Sequence, residues 1–545
     1  MIQNFKKTLI AATAPAVPVE RTDTLSFSEE LATKDLDHER GNRLCVTVSD
    51  IHLTDGTVGL QNLSDETWER FFNSIVESCN ENKINELVLV IDGDFIDIIR
   101  SSVWANPGDG ESPVYPWERE RKVEFEKAVQ KIIEGIIDQH LYFFSRLQSL
   151  DTFIKDLCES VTNTELVVLL GNHDKELMLV NDSLAYFYEH ALGKKLTDFS
   201  EAERRYIGRM YGDENQFLDS ATAPYFPFYY ADRGFRFFTT HGQWRDSENS
   251  REIKASGGRP GWNVKDGWQP EVWEKLGYAP FLDACFGDSV AAGVLSTFIY
   301  KTKKELKGTG DSVKKLTRIV DELDLYRPSY LAPKRMLIET GRMRKNNKDV
   351  DLADIIEKNL INCIDAWLSW KFPYQSATTR VRIMLHIAKI KIKFLKLFGQ
   401  RIELKAIYFL MWALDKLSHY QKTGVDLEKM RTFPGFRPPY GNHGFQIHGE
   451  GHTHNPLQEE ARLDSGAVAG SGITNVNTNY TYINFGTWRD QIVPRKEEGF
   501  RRRGVLRTFN ILDLKPDECI KDNIERRFVY LAKDVVIWRD SFDKM

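Results

Sequence analysis

The chain has 545 residues, 41% of them hydrophobic and 28% charged, and its 74 basic and 79 acidic residues leave a net charge of −5. At ~100–200 residues per domain, that length means three or four domain-sized units, or one domain with large insertions. The composition excludes disordered, collagenous and coiled-coil chains, and the charge excludes a strongly basic whole-protein field, though not a local basic patch.

Residues 1–42 read as a polar, mobile leader with Pro15, Pro18 and many Thr, Ser and Glu. Lys6 and Lys7 precede a mildly apolar stretch, Thr8 to Val17, whose Thr and Pro make it a poor signal-peptide core. The short apolar run Leu44–Ser49 predicts a buried strand, Thr67–Ser78 a helix, and Leu87–Ile91 a second buried strand. A Gly/Pro-rich loop over 101–117 carries Trp104, Tyr115 and Trp117, and a helical region runs from Glu118 to Leu157. Leu166–Leu170 and Phe235–Thr240 read as the third and fourth strands.

After His241 the strand rhythm stops. Residues 243–442 read as mostly helical, beginning with a Gly-rich loop that holds Trp262 and Trp268. Strands resume at Phe445–Ile447, Tyr480–Phe485 and Gly504–Leu514, with a Gly/Ser/Thr/Asn-rich loop over Ser465–Asn479. The longest clean apolar run, Ile407–Leu414, has eight residues, far short of the ~20 a membrane span needs. Cys45, Cys79, Cys158, Cys285, Cys363 and Cys519 are scattered without paired spacing. They predict free buried thiols and a cytoplasmic location.

Five short pieces stand at the ends of predicted strands: Asp50-Ile51-His52, Gly93-Asp94-Phe95-Ile96-Asp97, Gly171-Asn172-His173-Asp174, His241-Gly242 and Gly451-His452-Thr453-His454. Asp and His two apart on a strand-exit turn can converge on one cation, and a Gly before Asp94 and before Asn172 permits a tight turn. Carboxylate, imidazole and one amide suit divalent first-row metals, not calcium, and no thiolate is nearby.

In this order the five pieces resemble the calcineurin-like metallophosphoesterase family. The resemblance covers about 250 residues, leaving out the leader and the long interval. It implies an α/β fold, a four-layer αββα sandwich of two mixed sheets with a large, mainly helical insertion. The implied organisation is leader 1–42, a catalytic domain over 43–242 and 443–520, an inserted cap over 243–442, and 521–545 as an extension packing on the catalytic domain. The resemblance assigns Asp50, His52 and His454 to one metal, Asn172, His241 and His452 to a second, and Asp94 to both. The cofactors expected are two divalent ions, manganese first, with iron or zinc as alternatives. His173 takes the place of general acid or charge stabiliser, and either Asp97 or Asp174 orients it. Asn484-Phe485-Gly486-Thr487-Trp488 resembles a strand-end element that follows the last histidine pair in many bacterial members.

The implied activity is phosphatase or phosphodiesterase hydrolysis of a phosphate ester, by a dimetal-activated water attacking in line at phosphorus. The alternative is a metal-binding or scaffold module that has lost catalysis, against which every expected position, His173 included, is filled. The bacterial UDP-2,3-diacylglucosamine pyrophosphatases resemble the chain only at the shared blocks, and they usually carry Arg where this chain has His173.

Within the interval, Arg382, His386, Lys389, Lys393 and Lys396 recur at steps of 4, 3, 4 and 3, and Ile383, Ile387, Ile390, Phe394 and Leu397 follow one residue later. Residues 380–401 therefore predict an amphipathic helix with a basic face. Three roles are open to it: a solvated cap helix, a peripheral contact with an anionic membrane or lipid substrate, or the lining of a nucleic-acid groove. The substrate alternatives follow the same division, a lipid-linked or nucleotide pyrophosphate at a membrane surface against a nucleic-acid phosphodiester. Trp104, Trp117, Trp262 and Trp268 either stack on a base or pin loops to the core. Protein partners are unassigned.

Overall fold

A computed structural model describes residues 5–10, 41–250, 262–263, 267–268, 279–397, 446–463, 478–515 and 527–542, apart from 60–62, 109, 212–214, 233, 247, 328–329, 348 and 495–498. The strands before the interval are β1 (Phe5–Ile10), β2 (Arg43–Val48), β3 (Glu86–Ile91), β4 (Asn163–Val168), β5 (Tyr230–Asp232) and β6 (Phe237–Thr239). A two-residue pair follows, β7 (Trp262–Asn263) and β8 (Gly267–Trp268). After the interval come β9 (Ile447–Glu450), β10 (Leu457–Leu463), β11 (Thr478–Asn484), β12 (Gln491–Pro494), β13 (Phe500–Leu514) and β14 (Arg527–Phe542).

The protein is α/β, with two mixed sheets. The larger runs β1-β14-β13-β2-β3-β4, with β12 also on β13, and the smaller runs β10-β11-β9-β6-β5. In the larger sheet β2, β3 and β4 are parallel; β2 and β3 read as near-continuous apolar runs because both of their faces are covered, while the edge strand β4 is only partly buried. Leu44, Val46, Leu87 and Leu89 face the helices, packing with Trp68, Phe72, Val129 and Ile132. Cys45, Val88 and Val90 point the other way and join Phe509 and Ile511 in a cluster with Phe237, Ile447, Ile483 and Phe485 of the smaller sheet. That apolar layer holds the two sheets face to face. A buried ion pair also crosses it, Arg43 Nη2 donating to Asp232 Oδ2 at 2.8 Å.

Two segments outside the predicted strands belong to the larger sheet. Phe5–Ile10, within the stretch read as leader, pairs antiparallel with β14, and β14 itself pairs along its length with β13.

Between β6 and β9 the chain builds helices with a hydrophobic cluster of their own, including Phe298, Ile319, Met336, Ile356, Trp367 and Leu385. Val58, Ile492 and Phe500 from the sheet side join the same cluster. β6 and β9 are adjacent and parallel, so the chain leaves and re-enters the smaller sheet at neighbouring strands. Residues 398–445, with the apolar run Ile407–Leu414 and the end of the predicted basic helix, lie outside the described residues, as does most of Ser465–Asn479. Among the described residues no helix is long and apolar enough to cross a membrane.

Candidate metal centre

The ends of β2, β3, β6 and β9, and the loop that follows β4, come together at one edge of the two sheets. There Asp50, His52, Asp94 and His454 form one group able to hold a metal ion, and Asp94, His241 and His452 form another. Asp94 belongs to both. Its Oδ2 lies 3.6 Å from His52 Nε2 and 3.2 Å from His241 Nε2, while its Oδ1 accepts the backbone N–H of His173 at 2.8 Å. His454 Nε2 stands 3.1 Å from Asp50 Oδ1 and 3.0 Å from His52 Nε2.

The backbone is strained where these side chains leave it. Asp50, His52, Asp94, His452 and His454 all have φ between 46° and 64°, the left-handed region. At roughly 1–2 kcal/mol per residue, five such positions cost on the order of 5–10 kcal/mol, comparable to the net stability of a whole domain. Strain of this kind persists where surrounding structure fixes it and where function uses it. Here it is fixed by cross-loop hydrogen bonds: Asp50 N–H to Gly93 O (3.2 Å), His52 N–H to Asp94 O (2.9 Å) and Gly451 N–H to His241 O (3.0 Å). Close approach is the second requirement. A Cβ at Gly93 would sit 2.6 Å from the His241 ring, and one at Gly171 would collide with the Asp94 backbone nitrogen.

The donor set fits a divalent cation. His241 Nδ1 lies 2.8 Å from the Asp92 carbonyl, which can only accept, so Nδ1 carries the proton. Nε2 then faces the Asp94 carboxylate, and a positive charge is needed between the two, either a metal ion or a second proton, since against burial Asp94 and Asp50 raise this imidazole well above its ordinary value. His241 Nε2 and Asn172 Oδ1 are both buried without a hydrogen-bond partner, as atoms kept for a cation would be.

The electrostatics agree. Burial alone would raise the Asp50 and Asp94 carboxyls. His241 and His454 beside Asp50, and His241 and His173 beside Asp94, hold them below the usual carboxylate range instead. Burial pushes the His454 imidazole down to about 3, with help from His52 and Arg327 and against the attraction of Asp50.

The geometry separates Asp97 from Asp174. His173 Nδ1 meets Asp97 Oδ1 at 2.7 Å, and the other Asp97 oxygen takes His52 Nδ1 at 3.0 Å, so one carboxylate orients both imidazoles. Asp174 turns inward and accepts backbone N–H groups of Ile96 and Gly171 at 2.9 and 3.1 Å. Burial and the neighbouring Asp94 push its carboxyl up to about 7, in keeping with a loop-holding group. Asp92 is also buried, with neither oxygen partnered, and burial holds its carboxyl well above the usual range.

The Asn484–Trp488 element supports the ligand loops. Asn484 Nδ2 donates to Gly451 O at 2.6 Å, Thr487 Oγ1 to Asp50 O at 2.8 Å, and the Trp488 ring stacks on Trp68.

Several neighbours carry no sequence signal. Asp246 Oδ2 faces His452 Nε2 at 3.1 Å. Arg327, from the helical unit, reaches His454 Nδ1 at 3.5 Å, and burial with Arg100 nearby lowers its guanidinium to about 10. Arg100 lies 3.4 Å from Asp97 Oδ2 and 3.6 Å from Asp324 Oδ2, and Arg489 also pairs with Asp324. These are single residues drawn together over long sequence separations, and no local pattern announces them.

Two of the tryptophans pin loops. Trp104 is fully buried and donates to Ile98 O at 2.7 Å, and Trp117 stacks between Tyr115 and Phe372. The Trp262 and Trp268 side chains lie outside the described ones.

Comparison of the chain with family models, with curated proteins and with solved structures returned no match.

Proposed function

We propose that the protein is a dimetal-dependent hydrolase of phosphate esters. One observation supports this above the others: residues from four separated sequence pieces converge into two donor groups that share Asp94. Asp50, His52 and His454 would hold one ion, Asn172, His241 and His452 the other, and Asp94 both. Manganese, iron or zinc suits that oxygen and nitrogen set. Bound divalent ions supply Lewis acidity toward phosphoryl oxygens and acidify a water for in-line attack.

The chain's own groups do the rest. His173 is more open than the buried ligands around it, with 14% of its side chain exposed. With Nδ1 locked to Asp97, its Nε2 is free to carry a proton to the leaving oxygen. Asp97 and Asp94, working against burial, raise the His173 imidazole above its ordinary value, as a proton donor requires.

We read the two sheets and their helices as the four-layer sandwich of the family, and the helical unit after β6 as a cap. The contacts of Arg327 and Asp324 with site residues support the cap, because both arrive from that unit.

The test is hydrolysis by manganese-loaded protein across a panel: an aryl phosphomonoester, a bis-ester, a nucleotide pyrophosphate, single-stranded DNA and a lipid-linked phosphate. Hydrolysis of at least one, lost to chelator and restored by metal, is expected. Metal-loaded protein inert toward all of them replaces this function with a binding or scaffold role.

A further inference from the structure

The helix Thr379–Leu397 packs by the face opposite to the one its pattern suggests. Val381, Leu385 and Ala388 are buried in the helical unit's cluster, with Ile392 packed against it. The row Ile383, Ile387 and Ile390 points outward, 56%, 60% and 68% exposed, and Phe394 extends it at 60%. At 3.6 residues per turn these four form an outward stripe about 60° wide. Lys391 and Lys393 stand about 80° to either side of it, and both are exposed. The helix carries six Lys and Arg and no acidic residue.

Such a stripe is unfavourable in water. Three isoleucines in a row, flanked by lysines, are a poor solvated face and a poor site for extended nucleic acid, which needs cations facing the ligand and apolar groups out of the way. They suit an interface whose interior is apolar and whose boundary is anionic. The stripe enters the acyl region while the lysine stems reach back to the headgroups.

We propose that this face docks the protein on an anionic membrane surface, with Ile383, Ile387 and Ile390 inserted and Lys391 and Lys393 at the headgroups. The occupant is a lipid surface because the charges flank the apolar row on both sides, the arrangement that complements a planar anionic boundary. The inference is independent of the metal centre and stands or falls apart from it.

The experiment is co-sedimentation of the full chain with vesicles of phosphatidylglycerol and phosphatidylcholine, and with vesicles of phosphatidylcholine alone. The protein is expected to sediment with the anionic vesicles, less at high salt, and to stay in solution with the neutral ones. I383S/I387S/I390S should lower the partition by about tenfold or more, since each inserted apolar side chain contributes. K391E/K393E should lower it by about tenfold and weaken the salt dependence. Because these side chains are exposed, both variants should keep the thermal melt and metal content of the parent. Parent protein that stays in solution with anionic vesicles overturns the proposal, as does a triple variant that binds like the parent. A dimer in sedimentation velocity that the triple variant abolishes, without vesicle binding, assigns the row to a second copy of the chain instead. Vesicle-independent binding of single-stranded DNA, lost in K391E/K393E, assigns it to nucleic acid.

Discussion

The strand exits bury what proteins normally expose, and the outer side of Thr379–Leu397 exposes what they normally bury. At the first place, Asp50, His52, Asp94 and His241 are at most 1% exposed; at the second, three isoleucines are more than half exposed. Both reverse the ordinary partition of side chains, but they differ in how the reversal is held. The buried polar groups are fixed by a dense net of cross-loop hydrogen bonds and by a left-handed backbone. Among the described residues the exposed isoleucines are held by the helix itself, whose stability comes from its other face. A buried polar site is therefore expected to fail when any one member is removed. The exposed row should be replaceable without consequence for the fold.

The largest effect is expected at Asp94, the one residue common to both donor groups. Asp94→Asn should take hydrolysis of an aryl phosphate ester to background and lower bound metal measured by elemental analysis. Full activity with metal retained would remove Asp94 from the centre and, with it, the reason for treating the two groups as one site. Next is His173→Ala, which should keep the metal content of the parent while turnover falls by ~10²–10⁴. An equal fall in metal content would make His173 a ligand. Asp97→Asn should fall between the two kinds of effect, because Asp97 touches His52 as well as His173. Metal affinity should drop by about 10- to 100-fold, with a smaller loss of turnover at saturating metal than in His173→Ala. Titration of the apo-protein with manganese separates these cases.

The two regions were also unequally legible from sequence. At the strand exits the chemistry itself restricts the residue types, so Asp50 two residues before His52 stood out, as did Asp94, Asn172 and His452, each directly after a glycine. What remained open was local: Asp97 and Asp174 are both within reach of His173 along the chain, and only the turn of the backbone gives Asp97 the imidazole and Asp174 the amides. Asp246 and Arg327 could not be read, since each is a single residue whose role depends on a contact more than a hundred residues away. For Thr379–Leu397 the 3.6-residue period gave the helix correctly. Period alone does not say which of two apolar rows faces inward; the neighbours supplied by the helical unit decide that. Strand β14 was missed for a related reason. Its charged residues interrupt the apolar pattern, and pairing with β13 over most of its length overrides them.

The smallest expected effect is the most direct test of the helix orientation, and it pairs two adjacent turns. Leu385 is fully buried, and Ile387, two residues on, is 60% exposed. Leu385→Ala removes packed methyl groups and leaves a cavity, which should cost ~2–5 kcal/mol by denaturant unfolding of the helical unit. Ile387→Ser takes an apolar side chain already in water and replaces it with a polar one, so its effect should stay within about 0.5 kcal/mol of zero. The single-residue helix propensities differ by too little to blur that gap. Should Ile387→Ser destabilise as much as Leu385→Ala, the isoleucine row is packed in the native protein, and the membrane-docking face loses its physical basis. If instead only Leu385→Ala destabilises, the row contributes nothing to the fold, and the exposed apolar stripe is open to serve as the docking face.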